Sequence, residues 1–295
     1  MKKCALCGNK AELKTSHIIP KFTTNWLKNT AITGFLRKNE DNYKQRQQDG
    51  YKEELLCFDC EQLFSKCEKE FSEKIFKPYL EENKTKFIYE EWLNYFITSV
   101  NWRILYLQIV DSLKGEITLS LANIEELSTA AKTLGDFLLK KQGFPQEVET
   151  HLYFINDFAF LKQANLNPIS FFKRSVFGSI SEGEQPYQYC YIYTNLCGIL
   201  IVTIIKKTPI DTWQNTLIST SGVLNTSQLM GSPVLGELIL TLEEANTSNI
   251  PDNQVSKIIN NIQKDNTKVQ DSKFIDEYSK DIELKDLHKK IFNKD

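Results

Sequence analysis

The sequence lacks any run of 18 or more consecutive apolar residues, and its first four residues, Met1 to Cys4, are not followed by an apolar segment. The first absence argues against a membrane-spanning helix, and the second argues against a secretory signal. We therefore expect a cytoplasmic protein with no membrane association. Because a reducing cytoplasm disfavours disulfide bonds, its seven cysteines favour metal binding instead.

Histidine is also scarce, and several catalytic motifs are missing. The chain has three histidines, and His17 is the only one before residue 151. Residues 81–295 contain no glycine-rich phosphate loop, no G-x-S-x-G motif and no histidine and carboxylate paired at helical spacing in a way that suggests a metal site. The second part of the chain is therefore predicted to have a regulatory, sensing or partner-docking role.

Two C-x-x-C couplets stand out near the start of the chain. Cys4 and Cys7 form the first couplet, and Cys57 and Cys60 form the second. Each couplet turns tightly enough to direct two thiolates at one ion, so the four cysteines predict a tetrahedral zinc site. The couplets are 49 residues apart, whereas simple zinc ribbons separate them by roughly 12 to 20 residues. The interval is long enough to hold a small insert that contains His17.

Positive charge is concentrated in the same part of the chain. Residues 1–52 hold eleven lysines and arginines against four acidic residues, a formal charge of +7, although the whole chain has a net charge of −2. This distribution is expected of a segment that faces phosphates. In the polar stretch before Asp49-Gly50, the candidate contacts to a nucleic-acid backbone are Arg37, Lys38, Lys44 and Arg46. A solvated surface loop is the alternative interpretation of this stretch.

Three motifs follow one another near the start of the chain: C-x-x-C, then His17-Ile18-Ile19-Pro20, then Leu55-Leu56-Cys57-x-x-Cys60 leading into a helix. This order resembles that of the HNH, or His-Me finger, endonucleases. The resemblance covers about residues 1–80 and is to the subgroup whose ββα core is braced by a four-cysteine zinc. It implies that His17 is the general base that activates water for attack on a phosphodiester. It also implies a nucleic-acid substrate, DNA in preference to RNA, and a second, catalytic metal ion.

The chain departs from the family pattern at the positions of the catalytic-metal ligands. Ser16 stands where the family has Asp or His, and Glu61 stands where it has Asn. Magnesium and manganese prefer carboxylate oxygens, so Glu61 or Glu68 is a candidate ligand that would replace the missing ones. The site has therefore either acquired new ligands or lost activity.

The predicted fold class is α+β. We expect a small zinc-bound ββα-type finger over residues 1–80, then a larger helical domain with an antiparallel sheet over residues 81–295. Hydrophobic periodicity predicts helices over 61–76, ended by Pro78, over 84–113, from Asn123, and over 233–244, 252–264 and 272–292. Runs of β-branched and aromatic residues predict strands at 151–155, 170–172, 187–193 and 199–205, the last two forming a hairpin.

Three functional hypotheses follow from these patterns. The first is a metal-dependent HNH-type endonuclease, whose two-part architecture resembles effectors of bacterial anti-phage defence. The second is a non-catalytic zinc module that binds nucleic acid or protein. The third is a structural zinc clasp for a larger domain that binds a protein partner or self-associates. Ser16 favours the last two hypotheses, and the His-Ile-Ile-Pro sequence favours the first.

Overall fold

The computed structural model describes residues 1–37, 46–117, 121–155, 157–183, 188–247, 256, 259–260, 263 and 272–292. Helices account for 50% of the structure and strands for 25%, so the predicted mixed α+β class is confirmed. Among the described helices, none is both long enough and apolar enough to cross a lipid bilayer.

The described strands are short, and every pair among them is antiparallel. They are β1 (Lys2–Lys3), β2 (Lys10–Ala11), β3 (Leu13–His17), β4 (Leu36–Arg37), β5 (Arg46–Gln47), β6 (Lys52–Cys57), β7 (Lys86–Tyr89), β8 (Glu149–Phe154), β9 (Val176–Gly183), β10 (Tyr189–Leu196), β11 (Ile199–Lys206), β12 (Thr212–Gln214), β13 (Gly222–Asn225) and β14 (Leu229–Gly231).

The helices vary from one turn to more than six turns. They are α1 (Lys21–Asn29), α2 (Phe58–Phe71), α3 (Lys77–Glu81), α4 (Glu91–Leu113), α5 (Leu121–Leu138), α6 (Pro168–Lys173), α7 (Pro233–Thr247) and α8 (Lys273–Phe292). A π-helical segment, Ser72–Phe76, joins α2 to α3, and a 3-10 segment, Asp157–Leu166, precedes α6. The helix predicted over 252–264 lies outside the described residues, apart from a few isolated positions.

A four-stranded sheet in the order β8-β11-β10-β9 forms the centre of the structure. The hairpin predicted between β10 and β11 is confirmed, and it closes through Cys197 and Gly198, whose φ angles are 57° and 85°. Positive φ at both positions is typical of the two-residue turns that match the twist of the flanking strands. The side-chain oxygen of Asn195 accepts a 3.0 Å hydrogen bond from the Gly198 N–H and holds the turn.

Both faces of β11 are buried, as its continuous apolar run predicts. Ile199 and Ile201 pack on one side in a cluster that includes residues of α4. Leu200 and Val202 pack on the other side, in a cluster that includes residues of α7. The sheet is therefore the middle layer between two sets of helices.

Helix α4 lies between the sheet and the first 80 residues, and it is buried over most of its length. The ring of Phe71 in α2 stacks on Phe96 in α4, with centroids 4.0 Å apart. Trp102 of α4 belongs to the same buried cluster as Phe64 and Cys4. The first 80 residues thus share a hydrophobic core with the rest of the chain.

Two sequence predictions of secondary structure were wrong around aromatic residues. Residues 86–89 form β7 rather than the start of α4, because Phe87 and Tyr89 alternate with exposed residues and face the core at the strand period. Residues 170–172 belong to α6 rather than to a strand. Pro168 occupies the first turn of α6, and the Asp281 carboxylate accepts hydrogen bonds from the N–H groups of Ile169 and Ser170.

Three smaller differences concern the ends of two helices and one strand. The helical backbone continues past Pro78 to Glu81: Phe76 and Lys77 keep helical φ and ψ angles, and the π-helical segment Ser72–Phe76 leads into the proline. Helix α5 begins at Leu121, two residues before Asn123, which the sequence predicts as its cap. Strand β9 was not predicted.

Candidate metal centre and His17 site

The first cysteine couplet lies in the turn between β1 and β2. The Cys4 N–H donates a 2.9 Å hydrogen bond to the Asn9 carbonyl, and the Gly8 N–H donates a 3.0 Å bond back to the Cys4 carbonyl. Gly8 has a φ of 77°, a conformation that glycine adopts at little steric cost. The turn therefore directs both sulfur atoms to the same side.

The second couplet lies where a strand meets a helix. Cys57 is the last residue of β6, and Cys60 lies in the first turn of α2. The Cys57 N–H donates a 3.3 Å hydrogen bond to the Cys4 Sγ atom, and the Ala5 N–H donates to the Leu55 carbonyl at 3.0 Å. These contacts bring together two couplets that are far apart in sequence.

The four cysteines form a cluster that is compatible with structural zinc. Their Sγ atoms all lie within 4.8 Å of one another, and those of Cys7 and Cys57 are 3.8 Å apart. A tetrahedron with Zn–S bonds of ~2.3 Å has S–S edges of ~3.8 Å. Cys4, Cys57 and Cys60 are buried, and all seven cysteines of the chain are free of disulfide bonds. The soft thiolate donors and their spacing fit zinc.

The thiol of Cys4 has the environment of a metal ligand. Its burial raises its pKa, but hydrogen bonds from the backbone N–H groups of Cys7, Cys57 and Leu6 outweigh this effect and bring its pKa to about 7, from the ordinary 9.0. Burial raises the pKa of Cys7 and Cys60 within the cluster, and it also raises the pKa of Cys67, outside the cluster, to about 12. Cys67 donates to the Phe64 carbonyl and is a core residue.

His17 lies at the end of β3, and its side chain contacts the loop that leads into β6. The Nε2 atom of His17 is 3.1 Å from the Oδ1 atom of Asp49, and the two side chains are 19% and 24% exposed. The Gly50 N–H donates to the same Asp49 oxygen at 2.9 Å, and the Lys52 ammonium donates to the other oxygen at 3.0 Å. Asp49 is thereby fixed beside the imidazole.

The charge of Asp49 determines how the imidazole is oriented. Partial burial raises the pKa of Asp49, but hydrogen bonds from Lys52, His17 and the Gly50 N–H hold it well below its ordinary 3.8. Because a carboxylate can only accept, the Nε2 atom of His17 carries a hydrogen and donates it. Among the described residues, none hydrogen-bonds to the Nδ1 atom. In the neutral ring, Nδ1 is therefore the basic nitrogen.

The side chains of Ser16 and Glu68 are already engaged within the fold. Ser16 is 1% exposed, and its hydroxyl lies 3.4 Å from the Lys14 carbonyl. The Glu68 carboxylate accepts a 2.7 Å hydrogen bond from the guanidinium of Arg103, a residue of α4. The same guanidinium also donates to the main-chain carbonyl of His17 at 2.7 Å.

Glu61 presents a different environment from Glu68. The Oε1 atom of Glu61 is buried and has no hydrogen-bond partner in the described part of the chain. Glu61 and Glu68 are seven residues apart and therefore lie on one face of α2. Among the described residues, the four cysteines form the one group of three or more possible metal ligands whose ligand atoms lie close enough to share an ion. His17, Glu61 and Glu68 do not form a second such group in that part of the chain.

The predicted nucleic-acid contacts are only partly covered by the described residues. The backbones of Arg37 and Arg46 face each other in the β4-β5 pair. Their side chains, and all of Lys38 and Lys44, lie outside the described residues. Contact of these four residues with nucleic acid stays a prediction.

Two residues of the His17 site were missed by the sequence analysis. Asp49 was treated only as part of a turn with Gly50, and its separation from His17 gave no local signal. Arg103 did leave a signal, because it is the one charged residue between Glu91 and Asp111 in a helix that is otherwise apolar or neutral. A lone arginine in such a helix must find partners, since burying an unpaired charge is costly.

In comparisons of the chain with known proteins, no protein-family model, no curated protein and no solved structure matches it.

Proposed function

We propose that the protein is a metal-dependent phosphodiester hydrolase of HNH type that acts on nucleic acid in the cytoplasm, with His17 as its general base. The observation that carries the proposal is the contact between His17 and Asp49, at the opposite end of the β3-β6 pair from Cys57. In support, β3 and β6 pair and lead directly into α2, the order of elements that the resemblance implies for a ββα finger.

The geometry gives each side chain a defined task. Asp49 holds Nε2, so Nδ1 accepts the proton of the attacking water. The carboxylate then stabilises the imidazolium that forms, since opposite charges lie in direct contact. The zinc held by Cys4, Cys7, Cys57 and Cys60 would fix β6 and the start of α2, and it takes no part in the chemistry.

The chain offers a limited fit for a hard catalytic cation such as Mg²⁺ or Mn²⁺. The buried Glu61 oxygen, which has no partner among the described residues, is a suitable ligand, whereas Ser16 and Glu68 are engaged elsewhere. Such an ion would stabilise the negative charge that develops on the phosphate. The attack of water forms one P–O bond and breaks the bond to the leaving oxygen, which takes a proton from solvent. The one proton transfer to a side chain is the transfer to His17 Nδ1, and Asp49 exchanges no proton.

The test is cleavage of supercoiled plasmid, single-stranded DNA and single-stranded RNA, with Mg²⁺ or Mn²⁺ added, by the parent protein and by His17→Ala. His288→Ala is the matched control, since His288 lies in α8 against Phe292. All three proteins should first contain one zinc per chain. We expect His17→Ala to lose activity by roughly 100-fold or more, the usual contribution of a general base, and His288→Ala to keep it.

Equal cleavage by the parent and His17→Ala, or no cleavage by the parent with either metal, would overturn this assignment. The second candidate is then a zinc-braced module that binds nucleic acid or protein. The engagement of Ser16 and Glu68 by other groups of the fold favours this candidate. Fluorescence anisotropy with labelled DNA and RNA over a range of salt concentrations tests it, since contacts to phosphates weaken as salt rises. A role in anti-phage defence stays a prediction from architecture.

A further inference from the structure

Arg103 is a buried charge that links three elements of the fold. Its side chain is 2% exposed, although it lies on the helix between the sheet and the first 80 residues. A guanidinium removed from water requires a full set of acceptors, so its partners are structurally constrained. Those partners lie around His17.

Each guanidinium nitrogen of Arg103 donates a hydrogen bond to a different acceptor. Its Nη1 atom donates to the His17 carbonyl at 2.7 Å and its Nη2 atom donates to Glu68 Oε1 at 2.7 Å. Its Nε atom donates to the Ser99 carbonyl of its own helix at 3.1 Å, and its planar group lies over the Phe64 ring at 5.3 Å. One rigid side chain thus joins β3, α2 and α4.

The contact to His17 is made at the end of the β3-β6 ladder, where His17 is opposite Lys52 and the Ile18 N–H donates to the Tyr51 carbonyl at 3.1 Å. His17 is the last residue of β3, and the chain passes from it through Ile18 to Pro20 and into α1. A bulge between Lys14 and Thr15 already interrupts the β3-β6 ladder. A charged donor on the His17 carbonyl therefore fixes the backbone from which the imidazole projects toward Asp49.

We propose that Arg103 is the positioning residue for His17, and that Glu68 serves this site by holding Arg103 rather than by binding a metal. The inference rests on the proposed function for its chemical meaning, because it treats His17 as the base. Because Arg103 lies in α4, the orientation of His17 depends on a helix outside the segment that resembles the HNH family. Glu68 provides the compensating charge that allows Arg103 to remain buried.

The experiment measures the imidazole directly. Long-range ¹H–¹⁵N spectra of the zinc-loaded, full-length protein should resolve the rings of its three histidines, His17, His151 and His288. Arg103→Lys keeps the charge but replaces a planar fork with a single donor group. We expect the His17 signals to shift and its preference for hydrogen on Nε2 to weaken, while the His288 signals and the zinc content stay unchanged.

Asn101→Ala is the matched control on the same helix. Asn101 is fully buried and hydrogen-bonds to Ile192, Thr203 and Thr194 of the sheet, away from His17. Its substitution should weaken the packing of α4 and leave the His17 signals in place. Glu68→Gln, a milder change, should shift the His17 signals in the same direction as Arg103→Lys, and it decides the question if Arg103→Lys does not fold.

The outcomes separate the two proposals. Unchanged His17 signals in folded Arg103→Lys, or in Glu68→Gln if only that variant folds, would overturn the positioning role, whatever the cleavage assay shows. Shifted His17 signals in a protein that cleaves nothing would support the positioning role and overturn the hydrolase. If the parent cleaves, Arg103→Lys should lower kcat by about 10-fold or more with little change in KM, since a displaced base affects the chemical step.

Discussion

The four-cysteine cluster and the His17 site lie in the same small part of the chain but are built in different ways. Each cysteine couplet is a short local unit, a turn for the first and a strand–helix junction for the second, and two couplets need only one set of backbone contacts to meet. His17 depends on Asp49, which lies 32 residues away in sequence, and on Arg103, which lies 86 residues away. The difference teaches that a metal site can be a property of short motifs, whereas an oriented base requires the tertiary fold.

The largest effect is expected from removing a metal ligand. Cys4→Ser should lower the zinc content and destabilise the protein by roughly 5 kcal/mol or more, since structural zinc contributes on the order of 10 kcal/mol to small sites. Elemental analysis and urea unfolding measure the two quantities. Cys67→Ala is the control, a buried cysteine outside the cluster, and should cost about 1 kcal/mol without loss of zinc. Equal losses of stability with unchanged zinc in both variants would show that the cluster holds no metal.

A smaller effect is expected from Asp49→Asn, which tests the long-range site. An amide keeps one acceptor but loses the charge-assisted bonds to His17 and Lys52, so we expect a loss of about 1 kcal/mol of stability. The Nε2–H preference of His17 should also weaken in ¹H–¹⁵N spectra, while the zinc content stays the same. A variant with an unaltered His17 spectrum would argue that Asp49 does not orient the ring.

The pH dependence of that stability difference has a defined sign. The folded-state pKa of Asp49 lies below its ordinary 3.8, so its contribution is complete above pH 3.8 and is lost as the pH falls through the folded-state value. Urea unfolding should therefore still give a difference between the parent and Asp49→Asn at about pH 4 to 5, and this difference should be lost only at lower pH. A difference that already disappears near pH 5 would contradict the depressed pKa.

The smallest effect is expected at the surface of the metal-site region. Lys2 and Glu54 form an ion pair, but their side chains are 70% and 55% exposed. Solvent screens such pairs, so Lys2→Ala should leave the unfolding midpoint and the zinc content within experimental error. A clear loss of either would mean that the β1-β2 turn depends on this pair, and that the cluster is less self-contained than its motifs indicate.

Much of the fold could be predicted where one physical signal dominated. The C-x-x-C couplets predicted the cluster, and continuous apolar residues predicted β11 as a strand covered on both faces. Prediction failed at residues 86–89 and 170–172, where aromatic residues suit both helix and strand. There, the partner strand β13 and the capping carboxylate of Asp281 decided the outcome, and both are distant in sequence.

The sequence by itself predicted the four-cysteine cluster and the α+β class, because each depends on residue types at short spacing. Only the tertiary structure decided that His17 faces Asp49, that Glu68 is bound by Arg103, and that the Glu61 Oε1 atom is buried with no partner in the described part of the chain. These contacts join residues tens of positions apart. No local pattern specifies them: the His17–Asp49 contact depends on the pairing of β3 with β6, and the Glu68–Arg103 contact depends on the packing of α4 against the first 80 residues.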